Sequence, residues 1–237
     1  MPSPRTIPLL AFYTGLVTIS TLIFTVFIPA TRGYFNLGEA AIYIVAMLAG
    51  AYAGAFAGGV GSMISDLILG FFFFAPATLI IKGIEGGVLG FLASRKPPLN
   101  RTYWLILSAI IGVILFLSIF LIGSTYYVGS SEISLGLPGN SITLTFTITP
   151  FIWAVLGLIA SGSVVLTSLL TRPEVGWLVL SAAFSGFLMV LGYYLFEQFV
   201  LGYVAIAEVP FNIVQVLMGI LIAIPVYNSL KVLQKRK

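Results

Sequence analysis

The sequence predicts an all-α integral membrane protein of about eight transmembrane helices with one small extracellular β-hairpin. Three observations lead there. The 237 residues are 59% hydrophobic and only 8% charged, whereas a soluble domain carries roughly 25% charged residues. Several apolar runs approach the ~20 residues that cross the hydrocarbon of a bilayer. The lysines and arginines sit mostly in short loops, which is a topology signal, so the net charge of +4 implies no nucleic-acid partner. The chain has no Cys and no His. That excludes disulfides, thiolate chemistry, haem-type ligation and His-based metal sites, and it removes the usual general base.

The elements follow in chain order. Residues 1–7 are a short polar start. Span 1, residues 8–28, is too long for a signal-peptide core and lacks a small-residue cleavage site, so it is expected to be retained. Ala11 and Gly15 form a small-xxx-small pair that admits a second helix, from this chain or from a partner. Residues 29–38 read as a loop holding Arg32, Tyr34, Phe35 and Asn36. Span 2 covers residues 37–48. Span 3, residues 49–70, is rich enough in Gly and Ala to pack tightly and ends near Asp66. Its glycines do not make a phosphate loop, because no strand precedes them and the Lys-Ser/Thr pair is missing.

An aromatic turn at residues 71–74 leads into span 4, where Lys82 and Glu85 share a helix face. A basic, Pro-broken loop at residues 94–101 closes it. Span 5 covers residues 103–122. Ile142, Leu144, Phe146 and Ile148 then alternate with threonines, the period of a strand with one buried face. Ile133, Leu135 and Leu137 alternate before the turn signal Pro138-Gly139-Asn140. These residues predict a hairpin lying on the membrane surface, the alternative being an extended loop. Span 6 covers residues 151–170 and span 7 residues 177–200. Span 8 starts after Glu208-Val209-Pro210 and runs to residue 230, before a basic tail.

Orientation follows from charge. With about eight spans, Arg5, Arg95, Lys96, Arg101, Arg172, Lys231, Lys235, Arg236 and Lys237 fall on one side, and only Arg32 and Lys82 do not. Lys and Arg accumulate in the cytoplasm, so both termini are expected there, in the plasma membrane. The polar groups then gather toward the outside: Arg32, Asn36 and Glu39 at the first outward loop, Asp66, Lys82 and Glu85, Tyr193, Tyr194 and Glu197, and Asn212 with Gln215. A charge near the bilayer centre costs roughly 2.5–3.5 kcal/mol, so such residues face a partner, a cavity or a ligand. Two outcomes fit: a pocket for a small solute, with Tyr34, Phe35, Tyr193 and Tyr194 stacking on a flat ring, or mutual satisfaction of Lys82 by Asp66 or Glu85. The cluster as a whole predicts the pocket. Loss of Lys82 is then expected to weaken ligand binding about tenfold or more.

Gly33-Tyr34-Phe35-Asn36-Leu37-Gly38-Glu39-Ala40, then residues 57–62 with Asp66, then residues 75–83, and finally Val209-Pro210-Phe211-Asn212-Ile213-Val214-Gln215 resemble the substrate-binding S component of energy-coupling factor (ECF) vitamin transporters. The resemblance covers residues 8–94 and 176–232 and implies a six-helix core within a single membrane domain, with residues 102–171 an inserted helix pair and outward loop. It implies a membrane-embedded subunit that captures a small heterocyclic vitamin: riboflavin, a thiamine-related pyrimidine or a pyridoxine-like compound. Its partners would be a transmembrane coupling subunit and two cytoplasmic ATPases. Arg32, Tyr34, Phe35 and Glu39 would belong to the gating loop. Asn36, Lys82, Glu85, Tyr193, Glu197, Asn212 and Gln215 would bind substrate, and Ala11 and Gly15 would touch the coupling subunit. No cofactor or metal is implied. The chain has no nucleotide-binding motif, so no enzyme activity is expected. The rival is a stand-alone proton-coupled carrier using Glu85 or Asp66.

Overall fold

A computed structural model describes residues 6–28, 33–95, 100–126, 128–135, 142–170, 173–202 and 205–235. Among them, seven helices are long and apolar enough to cross a membrane. They are α1 (Thr6–Ile23), α2 (Gly38–Leu69), α3 (Ala75–Ala93), α4 (Arg101–Tyr126), α5 (Pro150–Leu170), α6 (Pro173–Leu195) and α7 (Val209–Lys235). Strands β1 (Thr25–Ile28) and β2 (Gly33–Asn36) pair antiparallel, Thr25 opposite Asn36. Strands β3 (Gly129–Leu135) and β4 (Ile142–Ile148) do the same, Leu135 opposite Ile142. The second hairpin lies where the alternation put it. Its expected turn at Pro138–Asn140 falls outside the described residues.

Two expectations change. Span 1 does not run helical to Ile28: the helix ends at Ile23 and Thr25–Ile28 pairs with residues 33–36. This run of β-branched and aromatic residues satisfies its backbone in a ladder, so the expected loop at 29–38 carries a strand. Spans 2 and 3 form one helical run broken at Gly50, whose φ of 81° and ψ of −173° are non-helical. A β-carbon placed on Gly54 would lie 2.8 Å from the Ala46 β-carbon, and one on Gly58 3.2 Å from Ile42. In a straight helix, residues eight apart are ~12 Å distant, so the chain folds back at Gly50. The eight expected spans thus persist as helical segments. The second, residues 38–49, is only about 18 Å long, short of the ~30 Å hydrocarbon core.

The described chain forms two compact units, Met1–Lys96 with Trp177–Lys237, and Pro97–Gly176. In the first, α2 and α3 meet backbone to backbone. Gly54 faces Gly86, Gly58 faces the Lys82 carbonyl, and Gly90 faces Gly50 and Ala51. Small residues permit this approach where lipid offers no hydrophobic drive. Hydroxyls tie α1 to α2: Thr18 Oγ1 donates to the Gly61 carbonyl at 3.0 Å and Ser65 Oγ to the Thr18 carbonyl at 3.2 Å. Gly219 of α7 lies against Glu39 and Tyr43, and Gly186 of α6 against Val216 and Tyr43. Helix α2 ends at Gly70 in the left-handed conformation. There the Phe71 N–H reaches the Asp66 carbonyl at 2.8 Å and starts the aromatic turn.

In the second unit, Asn100 caps α4 by accepting the Tyr103 N–H at 2.9 Å. Helices α4 and α5 run antiparallel, with Gly112 beside Ser161 and Val165, and Gly157 beside Phe116.

Candidate functional site

The site lies in the first unit, where α1, β2, α2, α3, α6 and α7 meet. A small cavity there is lined by polar side chains: Thr21, Tyr34, Asn36, Ser62, Asp66, Thr78, Lys82, Tyr193, Glu208, Asn212 and Gln215, with Phe74. Its volume is about 30 Å³, above the ~10–15 Å³ that a single water needs.

Lys82 sits 3% exposed at the centre. Its ammonium pairs with Glu39 Oε1 and lies 3.4 Å from Glu85 Oε2. It also stands 5.5 Å from the centre of the Tyr193 ring. Both carboxylates are held from behind. Tyr43 OH donates to Glu85 Oε1 at 2.9 Å, and Gln215 Nε2 donates to Glu39 Oε1 at 2.8 Å. Gln215 also accepts the Asn36 N–H at 3.0 Å, and Asn36 Oδ1 takes the Gly38 N–H at 2.8 Å. One glutamine therefore joins β2, the start of α2 and α7.

A second cluster borders the first. Tyr34 OH donates to Asp66 Oδ1 at 2.7 Å. Burial, together with the Asp66 charge, pushes the Tyr34 phenol far above its usual range, so it remains a protonated donor. Thr78 and Tyr193 share a hydrogen bond of 2.9 Å. The rings of Tyr34 and Phe71 lie 4.6 Å apart, and Phe74 packs on Phe196 at 5.8 Å.

The sequence-predicted residues divide in two. Asn36, Tyr34, Lys82, Tyr193, Asn212 and Gln215 line the cavity. Glu85 stands behind Lys82 rather than on the wall. Glu39, expected in the gating loop, lies in the first turn of α2, 1% exposed and paired with Lys82. The Asn36-x-x-Glu39 spacing is that of a helix start and could have placed it. Phe35 belongs to β2 and packs on Phe24 at 6.2 Å between ring centres. Glu197 sits fully buried in the π-helical turn Phe196–Leu201 that ends α6, off the cavity wall. Arg32 falls outside the described residues. Ala11 and Gly15 lie away from the cavity. They line an apolar groove of about 650 Å³ beside α1, shared with Ile19, Tyr52, Phe56 and Ile64.

Six wall residues were not expected as binders: Thr21, Ser62, Asp66, Phe74, Thr78 and Glu208. Thr78 precedes Lys82 by one helical turn, and that spacing was its signal. Among the described residues no group of three or more Asp, Glu, His or Cys is arranged to hold a metal ion.

The comparisons with known proteins agree with this architecture. The family model "ECF-type riboflavin transporter, S component" matches residues 1–172, which includes the segment 102–171. A protein of Pyrococcus woesei, described as an uncharacterized protein in gap 3'region, is 34% identical over 146 residues, covering 62% of this chain and 89% of that protein. A polar, helix-walled cavity in a multi-pass membrane protein, together with a family match over more than half its length, makes this chain a member of the ECF-type riboflavin transporter S component family.

Proposed function

We propose that the chain captures a small heterocyclic vitamin from outside the cell, riboflavin first among the candidates, as the binding subunit of an ECF-type importer. Its main support is the ring of polar side chains around one cavity, walled by α1, β2, α2, α3, α6 and α7 in an otherwise apolar bundle. Binding is non-covalent, by ring stacking on Tyr34 and Tyr193 and by hydrogen bonds to Asn36, Asn212 and Gln215. At about 30 Å³ the cavity holds no fused ring, so its walls part on loading. The wall without helical support is the β1–β2 hairpin, which the Tyr34–Asp66 and Asn36–Gln215 bonds fasten to α2 and α7. That wall is the gate.

Titration of the purified chain with riboflavin, thiamine and pyridoxine, read by fluorescence, is expected to give tight one-to-one binding of one of them. Binding of none of them overturns the proposal.

The groove at Ala11 and Gly15 receives the coupling subunit, which works with two ATPases on the cytoplasmic side, where both termini lie. A β-carbon on Gly15 meets nothing within 4 Å, so Gly15→Leu is expected to leave folding and ligand binding unchanged. It fills the groove, and vitamin uptake in cells that hold the full transporter is expected to fall at least about tenfold. Unchanged uptake places the coupling contact elsewhere. Residues 102–171 form an added helix pair, a reading supported by the compactness of Pro97–Gly176 as its own unit.

A further inference from the structure

Far from the cavity, the first unit holds two exposed cations in the same posture. Lys82 on α3 and Gln215 on α7 mark the cavity. Arg95, just past α3, and Lys231, near the end of α7, lie about 20 and 24 Å further along those helices at 1.5 Å per residue. They therefore stand at the opposite face of a hydrocarbon core ~30 Å thick. The Arg95 guanidinium folds back over the Phe91 ring, 4.5 Å from its centre. The Lys231 ammonium lies 5.3 Å from the centre of the Tyr227 ring and donates to its hydroxyl at 3.4 Å. In both pairs the ring comes four residues earlier, one helical turn nearer the bilayer. Basic side chains at the ends of spans ordinarily snorkel outward, away from hydrocarbon. These two are drawn back toward it. Among the described residues no carboxylate pairs with either cation. Apolar groups surround them: Phe91 is 50% exposed, and Val232 and Leu233, beside Lys231, are 53% and 58% exposed. Trp177 Nε1 donates to the Leu92 carbonyl at 2.8 Å, which adds an aromatic ring at the height of Arg95. Such rings gather where membrane meets water.

We infer that Arg95 over Phe91 and Lys231 over Tyr227 are two holders for the headgroup phosphate of an anionic phospholipid, one at the end of α3 and one at the end of α7. A lipid phosphate sits just above the acyl chains, at the height where each ring keeps its cation. The ring face holds the cation without neutralising it, so the full charge remains for the phosphate. Arg95 can offer two parallel N–H groups to two phosphate oxygens, and Lys231 a compact point charge. The lipid's own chains cover Phe91, Val232 and Leu233, which an acidic segment of a protein partner would leave bare. A zwitterionic lipid carries a phosphate too, but its own ammonium offsets it, so the preference is for a net negative headgroup. The cavity and its solute play no part in this contact.

The test is native mass spectrometry of the purified full chain, titrated with phosphatidylglycerol or with phosphatidylcholine of the same acyl chains, which resolves each bound lipid. The wild-type chain is expected to bind its first two phosphatidylglycerols at least about fivefold more tightly than phosphatidylcholine. Arg95→Gln combined with Lys231→Gln is expected to bring that lead to about twofold or less. Phe91→Leu combined with Tyr227→Leu keeps both charges and is expected to cut the lead at least about twofold, an effect that charge without placement does not produce. These side chains lie at the surface of helix ends, so both double variants are expected to fold. Equal affinity for the two lipids in the wild-type chain overturns the inference, as does a lead that survives the charge variant or that the ring variant leaves whole. A charge variant that keeps its lipid preference but loses solute uptake in cells holding the full transporter assigns the two cations to a protein partner, and the inference falls.

Discussion

Lys82→Met is expected to cost the fold about 3–5 kcal/mol, the penalty for removing one partner of a buried ion pair. Two carboxylates, Glu39 and Glu85, 1% and 0% exposed, would then share a site with no cation between them. The measurement is the denaturation midpoint of the purified chain in detergent, with Glu39→Gln added to the Lys82 variant. The double variant is expected to recover part of the loss, because it removes one orphaned charge and leaves Glu85 with the Tyr43 hydroxyl. Unchanged stability in Lys82→Met would show that the pair does not hold α2 to α3. The sequence pointed to Lys82 as a ligand contact whose loss weakens binding. The geometry adds a prior effect: the ammonium is already engaged, so damage to the scaffold precedes damage to affinity.

Gly90→Leu is expected to disrupt the same helix pair from the other side. A β-carbon at Gly90 falls 2.5 Å from the Gly50 carbonyl carbon, 2.6 Å from the Ala51 nitrogen and 2.7 Å from the Ala51 α-carbon. These are backbone atoms at the fold-back of α2, where Gly50 itself holds a φ of 81° that other residues rarely adopt. No rotamer relieves the clash, so the helices must separate. We expect a loss of at least about 3 kcal/mol, the upper end for overpacking a core, read as failure of folded protein to accumulate in the membrane. Gly162→Leu is the matched control, since a β-carbon there meets nothing within 4 Å. Equal accumulation of the two variants would refute the close contact between α2 and α3.

The glycine-rich run at residues 49–70 announced a tight helix interface, because small residues are how helices approach in lipid. It did not announce that Gly50 reverses the chain, since a positive φ leaves no hydropathy signal. The β1–β2 hairpin was missed for a related reason. Residues 25–28 continue the apolar run of α1, and the length of the run outweighed its strand-forming composition. The β3–β4 hairpin was legible because its strands lie between spans and alternate cleanly.

The site was legible in its members more than in its bonds. Lys82, Asn212 and Gln215 stood out as polar residues inside apolar helices, and the cavity is built around them. Glu39 lies next to the gating loop in sequence, and in the first turn of α2 its side chain pairs with Lys82. Asp66 stands out as an intramembrane acid, but nothing local shows that Tyr34, 32 residues away, donates to one of its oxygens.

By itself the sequence determined a helical membrane protein with polar residues set inside its apolar helices, because hydropathy, charge placement and side-chain period are properties of the chain. Only the tertiary structure decided which acid neutralises Lys82, where the chain turns at Gly50 and which Asp66 oxygen stays unpaired. Each of those depends on atoms far apart in sequence, brought within a few ångströms by packing of glycine-lined helices.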